Sequence, residues 1–212
     1  MKKMMSVAAV AAVSAIAIVA FKPAKNEVSA TINKQAASLA TKWVLDQAHT
    51  NVHFSVSHLV VSDVDGSFKK FDGSVESDKP DFSDAKIVFN IDVSSINTDN
   101  EMRDKHLKSD DFFNAEKFPQ IKFESISFQP TGGNKYKLSG NLTIRDVTKP
   151  IVFDVTYGGT ANAFGGVHAG FKIKGTLNRF DYNLKWDKTT EAGGLIAGKE
   201  VDITINVDLK KS

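Results

Sequence analysis

The stretch Val201-Asp202-Ile203-Thr204-Ile205-Asn206-Val207-Asp208-Leu209 alternates apolar and polar side chains without a break. Successive side chains of a β-strand point to opposite faces, so this pattern puts Val201, Ile203, Ile205, Val207 and Leu209 on one buried face. The same period recurs toward the N-terminus. Runs over Val52–Val61, Gly66–Glu76 and Ala85–Ser94 align Phe54, Val56 and His58, then Phe71, Gly73 and Val75, then Ile87, Phe89, Ile91 and Val93. A fourth run, Gln120–Gln129, starts with Ile121 and Phe123 and changes phase at Ile126 and Phe128, the mark of a β-bulge or of a strand covered on both faces. Three more align Tyr136, Leu138, Gly140, Leu142 and Ile144; Ile151, Phe153, Val155 and Tyr157; and Val167, Phe171, Ile173, Gly175 and Leu177. Thr131-Gly132-Gly133-Asn134 is hairpin chemistry, and Thr148-Lys149-Pro150 opens the sixth run. Consecutive strands joined by short turns pair with each other, so the eight runs predict an all-β, antiparallel up-and-down barrel with no free edge.

Two stretches, 95–119 and 179–199, are too long for hairpin turns and are expected to carry function or to act as lids. In the first, Asn100 to Phe113 sets Met102 and Leu107 among charged residues, which predicts a short helix between the third and fourth strands, capped by Thr98 or Asp99. Strands of ten to twelve residues, roughly 35 to 40 Å at the usual rise, imply an elongated barrel with a narrow bore. Gly73, Gly140 and Gly175 fall on the apolar parity; bending of coiled strands is the favoured reading of each, and room for a ligand is the other. The candidate lining is Phe54, Val56, His58, Phe71, Phe89, Ile91, Phe123, Leu138, Phe153, Phe171 and Ile173, which suits a hydrocarbon chain and a packed core alike. A buried chain of about twenty carbons, at about 0.8 kcal/mol per methylene, would contribute roughly 16 kcal/mol before ordering costs.

The chain has 212 residues, 42% hydrophobic and 25% charged, enough for a real core. Lys2-Lys3 followed by the apolar stretch Met4 to Phe21 has the form of a secretory leader, assigned to residues 1–30, with cleavage near Val28-Ser29-Ala30 or at Ala20, or retention as a membrane anchor, left open. Residues 31–42 read as a tether and 43–212 as the barrel domain. The first forty residues carry five lysines and one glutamate, leaving 22 of the 27 basic and 24 of the 25 acidic residues to the rest. The basic balance therefore belongs to the leader, which argues against a nucleic-acid partner. With no cysteine, the chain forms no disulfide and offers no thiolate ligand. Export of this kind points to the periplasm.

Several motifs in order resemble the YceI-like family over nearly the whole mature chain: Trp43-x-x-Asp46-x-x-His49, Phe54-x-Val56-x-His58-Leu59, Val64-x-Gly66-x-Phe68-x-x-Phe71-x-Gly73, Arg103-Asp104-x-His106-Leu107, Asp111-Phe112-Phe113, Phe118-Pro119-x-Ile121-x-Phe123, Gly140-x-Leu142-Thr143-Ile144-Arg145 and Val147-Thr148-Lys149-Pro150. Asn178-Arg179-Phe180-Asp181-Tyr182-Asn183 departs from the family's usual Asn-Arg-Ser-Asp-Phe-Gly, and Asp146 stands where glycine is common. The resemblance implies an exported barrel of lipocalin-like shape that binds a polyisoprenoid or another long-chain lipid, and it does not choose among ligands.

Arg103, Asp104, His106 and Arg179 are the head-group candidates, since a guanidinium matches phosphate or carboxylate in a bidentate manner. For Arg103, Asp104 and His106 the competing and slightly favoured reading is a helix cap and salt bridge that pin the lid. His58 is either a hydrogen-bonded core histidine, the safer reading, or a polar contact in the bore. Arg145, Asp146 and Lys149 are read chiefly as setting hairpin geometry. His49 and His53 are four apart, a spacing that does not converge on one strand face, so no metal is assigned. No cofactor and no catalytic residue are assigned either; the expected partner is a long-chain lipid or isoprenoid, with transient membrane contact and a homodimer left open. Two alternatives compete: an enzyme with Asp104 and His106 as acid and base, and an outer-membrane barrel with the apolar face outward. Against the second, Lys86, Lys122, Lys135, Lys137, Lys172 and Lys174 all share the polar parity, and a narrow lumen would have to neutralise them.

Overall fold

The computed structural model describes residues 41–212; the leader and most of the tether lie outside them. The strands are β1 (Thr41–Leu45), β2 (Asn51–His58), β3 (Ser62–Phe68), β4 (Phe71–Ser77), β5 (Lys86–Asp92), β6 (Ile96–Asn97), β7 (Gln120–Gly132), β8 (Lys135–Ile144), β9 (Val147–Ala163), β10 (Gly166–Asn178) and β11 (Ala197–Lys211). One helix, α1 (Glu101–Lys108), follows β6.

These strands make eight courses around a closed antiparallel barrel. β11 is long enough to pair with β1 near its C-terminal end, Leu45 opposite Leu209, and with β2 along the rest, Asn51 opposite Asn206 and Val56 opposite Val201. β1 and β2 are thus one course interrupted at 46–50. The next two are interrupted as well: β3 and β4 at Lys69-Lys70, and β5 and β6 at the 3₁₀ turn Val93–Ser95. Backbone bonds carry the sheet across these breaks, with Lys69 N–H donating to Ser95 O at 3.1 Å and Asp92 N–H to Lys70 O at 2.9 Å. β7 to β11 run unbroken and pair in sequence order.

Alternation places the chain as expected, with apolar residues inward and Lys86, Lys122, Lys135, Lys137, Lys172 and Lys174 exposed outside. The apolar face is therefore interior, the reverse of an outer-membrane barrel. The phase change in the fourth run is a bulge: the β7–β8 register shifts between Ser125 and Ser127, and Ile126 is turned out, while Phe128 returns to the core.

Four details differ from the sequence reading. A strand starts at Thr41, inside the stretch read as tether, because Trp43 and Leu45 alternate over only five residues. The first run stops at His58, not Val61, since Leu59 and Val60 turn the hairpin with φ of 54° and 64° although neither is a usual turn residue. The cap of α1 is Asn100, whose side chain accepts the Arg103 N–H, rather than Thr98 or Asp99.

The fourth concerns the glycines on the apolar parity, which neither merely bend strands nor hold space open. A Cβ on Gly66 would overlap the Phe54 ring, one on Gly73 would meet Val88 O and Phe89, one on Gly140 the Phe123 ring, and one on Gly175 the Phe153 ring. Each glycine is a flat seat for a phenylalanine from the neighbouring strand, an arrangement in which the ring covers the bare backbone.

Candidate functional site: an apolar bore with a cork and a lid

The barrel encloses a cavity of about 360 Å³ with an almost wholly apolar wall, within the range of small-molecule pockets. Phe54, Val56, His58, Phe89, Ile91, Phe123, Leu138, Phe153, Phe171 and Ile173 all line it. Phe71 does not: its ring stacks on Phe89 at 5.7 Å, and Phe89 takes the wall position.

One end is closed by Phe82, on the 78–85 segment between β4 and β5. Its ring is 3% exposed and sits 5.0 Å from Trp43, 5.1 Å edge-on from Phe171 and 5.8 Å from Tyr157. The backbone there is left-handed, φ 59°, and costly for an aromatic residue. It is held by Tyr136, whose hydroxyl donates to Asp81 O at 2.9 Å, and by Asp84, which accepts from the Ser77 hydroxyl at 2.6 Å and from the Asp78 N–H at 3.1 Å. The Ser77 hydroxyl, helped by the Asp78 and Lys79 N–H groups and opposed by burial, holds the Asp84 carboxyl below its usual value. Burial pushes the Tyr136 phenol up. Phe82 escaped sequence reasoning because it is a lone aromatic in Pro80-Asp81-Phe82-Ser83-Asp84, which has turn chemistry and no period.

The two long insertions cover the opposite end. Arg103, His106, Leu107, Phe112 and Phe113 from the first, and Arg179, Leu184 and Trp186 from the second, reach the cavity. Arg145, at the β8–β9 turn, clasps them: Nη1 donates to Asp110 O, Phe112 O and Asn183 O at 2.9, 2.7 and 3.1 Å, and Nη2 pairs with Asp110 at 2.9 Å. It bridges the insertions as well as turning its own hairpin. Beside this lid Val56, His58, Val64, Ile196 and Ala197 line the cavity and are half-buried.

The four polar candidates separate into two kinds. Arg103 Nε and Nη2 donate to Thr98 Oγ1 and Thr98 O, both at 2.7 Å, and the Asp104 carboxylate accepts from the Thr98 N–H at 2.9 Å and hydroxyl at 2.6 Å. These bonds seat α1 at its N-terminal turn, and Arg103 also reaches the cavity wall. The Asp104 carboxylate engages Thr98, and His106 Nε2 engages the Asp111 carboxylate at 2.8 Å.

His106 stands edge-on to Phe112 and Trp186, with centroids 5.1 and 5.7 Å away, in the cavity wall. Arg179 is 3% exposed. Its guanidinium donates to Gly198 O, Leu184 O and Ala197 O at 2.8, 2.8 and 3.0 Å and lies 4.2 Å from the Phe180 ring. Among the described residues no carboxylate forms an ion pair with it. Burial lowers its pKa, partly opposed by Asp187. A cavity wall of this kind offers an apolar chain a dry bore and an anionic group a buried cation at one end.

Comparison with known proteins agrees with the geometry. Residues 43–209 match the YceI-like domain. The chain belongs to the YceI-like family. A UPF0312 protein of Staphylococcus aureus (strain N315) is 40% identical over 174 residues, 81% of this chain and 99% of that protein. Among solved YceI-like structures, the Campylobacter jejuni YCEI protein is 33% identical with a TM-score of 0.64, covering 79% of this chain and 96% of that one. Burkholderia cenocepacia BcnA is 26% identical with a TM-score of 0.67, covering 77% and 98%. A polyisoprenoid binding domain from Saccharophagus degradans shares the fold at 14% identity and a TM-score of 0.60, covering 80% and 98%.

Proposed function

We propose that this YceI-like protein is an exported binder of a long-chain amphiphile, polyisoprenoid or fatty-acid-like, whose tail occupies the bore. The observation that carries the reading is the shape of the cavity: apolar along its length, corked by Phe82, and bounded at the other end by a lid containing Arg179 and His106. Tail burial supplies affinity through the hydrophobic effect and needs no directional chemistry. Arg179 and His106 meet an anionic head group, while Arg103 and Asp104 only position the lid. The polyisoprenoid binding named for the Saccharophagus degradans domain supports a ligand of this class. The role is that of a periplasmic carrier or store, loading at a membrane.

Protein purified from a host with native membranes, extracted with organic solvent and analysed by mass spectrometry, is expected to release one long-chain lipid per chain. The delipidated protein is expected to take up a labelled prenyl or acyl chain, and Ile205→Trp, which fills the bore, to abolish uptake while far-UV circular dichroism is unchanged. Protein that carries no lipid and binds neither labelled chain overturns the reading.

A further inference from the structure

A second cluster lies on the outer wall, away from the bore, where the barrel closes. It unites Asp46 and His49 from the turn between β1 and β2, His168 from β10 and Asp208 from β11. We propose that this seam is a binding site for a divalent transition-metal ion of the zinc class, with Asp46, His168 and Asp208 as ligands and His49 as the fourth.

The geometry is largely set by the backbone. One ligating atom from each of Asp46, His168 and Asp208 lies within 4.8 Å of the others. Asp46 N–H donates to Asp208 O at 2.8 Å, Thr50 N–H to Asp46 O at 2.9 Å, and Asp208 N–H to the Thr50 hydroxyl at 3.1 Å, so the turn is clamped onto β11. In the β10–β11 register His168 faces Lys210 and Gly170 faces Asp208, which puts His168 and Asp208 diagonally adjacent on the outer face. His168 Nδ1 is 2.8 Å from Asp208 Oδ1, and His49 Nδ1 is 3.0 Å from Asp46 Oδ2. Ligand atoms of a tetrahedral zinc site stand about 3.3 Å apart, given bonds of about 2.0 to 2.1 Å, so modest side-chain rotation opens a place for the ion.

Charge and chemistry select the class. Two carboxylates converge in a seam where His168 is 13% and Asp46 22% exposed, and a dication bound by neutral imidazoles balances both charges. Two imidazoles with two carboxylates suit zinc, copper or nickel, whereas calcium and magnesium take all-oxygen shells. His168 turns Nδ1 toward Asp208, and its Nε2, buried on the other side of the ring, carries the ring proton when Nδ1 binds the ion. The sequence concealed the site because neighbouring His49 and His53 do not converge, while Asp46 and His168 meet only through barrel closure.

The test is calorimetric titration of the EDTA-stripped mature chain with zinc chloride, and separately with calcium chloride. One equivalent of zinc is expected to bind at micromolar or tighter affinity, with calcium at least a hundredfold weaker. His168→Gln and Asp208→Asn are expected to weaken zinc at least tenfold, and His49→Ala, which alters a side chain 61% exposed, several-fold. Asp154→Ala, on an exposed outer position, is expected to leave it unchanged. Cobalt added to the stripped chain is expected to give the intense visible bands of a four-coordinate site. Absence of stoichiometric zinc binding, equal affinity for calcium, or binding that survives both His49→Ala and Asp208→Asn would overturn the assignment. Because His49 is a surface side chain, its variant reports even where the others fail to fold.

Discussion

Gly66→Ala is the sharpest test of how the bore is kept open. Gly66 stands directly opposite Phe54 across β2 and β3, and a Cβ there would meet only atoms of the Phe54 ring. The backbone has no reason to move, so the ring must swing off the wall into the bore and give up its tilted contact with Phe68 at 5.7 Å. Overpacking of this kind costs about 1 to 3 kcal/mol. An alanine free of the clash would instead stabilise an extended strand by roughly 0.5 to 1 kcal/mol through the unfolded chain. In a Phe54→Ala background the steric term vanishes, so Gly66→Ala is expected to become neutral or stabilising there. The double-mutant cycle should return a coupling of about 2 kcal/mol. Urea unfolding of the four proteins measures it. Uptake of a labelled prenyl chain should fall in Gly66→Ala and return in the double variant, which has a wider bore. A cycle that closes to within about 0.5 kcal/mol, or a Gly66→Ala protein that binds the chain normally, would refute the idea that glycine seats hold the rings against the wall.

Other expectations concern the two ends. Phe82→Ala should cost about 3 to 5 kcal/mol in denaturant unfolding and speed dissociation of a bound labelled chain, because the corked end becomes a second opening. Arg145→Met removes the bonds that join the insertions and should cost about 2 to 4 kcal/mol, with faster amide exchange in both 101–113 and 179–186; unchanged exchange in either would contradict its role as clasp. The Asp84 carboxyl has a folded-state pKa below its ordinary 3.8. Its stabilising contribution is therefore complete above that ordinary value and is lost as pH falls through the folded one. Trp43 fluorescence, read in a Trp186→Phe background, should report loosening of the Phe82 segment in that acid window, and Asp84→Asn should abolish the pH dependence.

The barrel was legible because period-two alternation marks the strands of its courses, and where it changes phase, at Ile126 of β7, the β7–β8 register shifts. Less was legible where the chain breaks step. β1 offers only Trp43 and Leu45, too few for a period, and Phe71 stacks behind Phe89 instead of lining the wall although its parity matches that of Gly73 and Val75. Leu59 and Val60 turn a hairpin that the alphabet of turn residues does not announce. In the lid, chemical type alone could not divide the cations: Arg103 bonds Thr98, Arg145 clasps two loops and Arg179 bonds the carbonyls of Leu184, Ala197 and Gly198, and only the local backbone decides between them. The seating of phenylalanines on glycines was hidden for a related reason, since it joins residues on different strands.

The uneven division of the barrel into three interrupted courses and five continuous ones bears on how it is made. Hairpins with two-residue connections, such as those at Gly133-Asn134 and Arg145-Asp146, bring β7, β8 and β9 together at small entropic expense, so this sector can assemble before the barrel closes. β1 and β2 pair with β4 and β3 but lack their second neighbour until β11 arrives, because Trp43 also pairs with Lys211 and Phe54 with Ile203. Closure of the barrel therefore depends on β11, and a variant that shortens this strand leaves an open sheet edge available for aggregation.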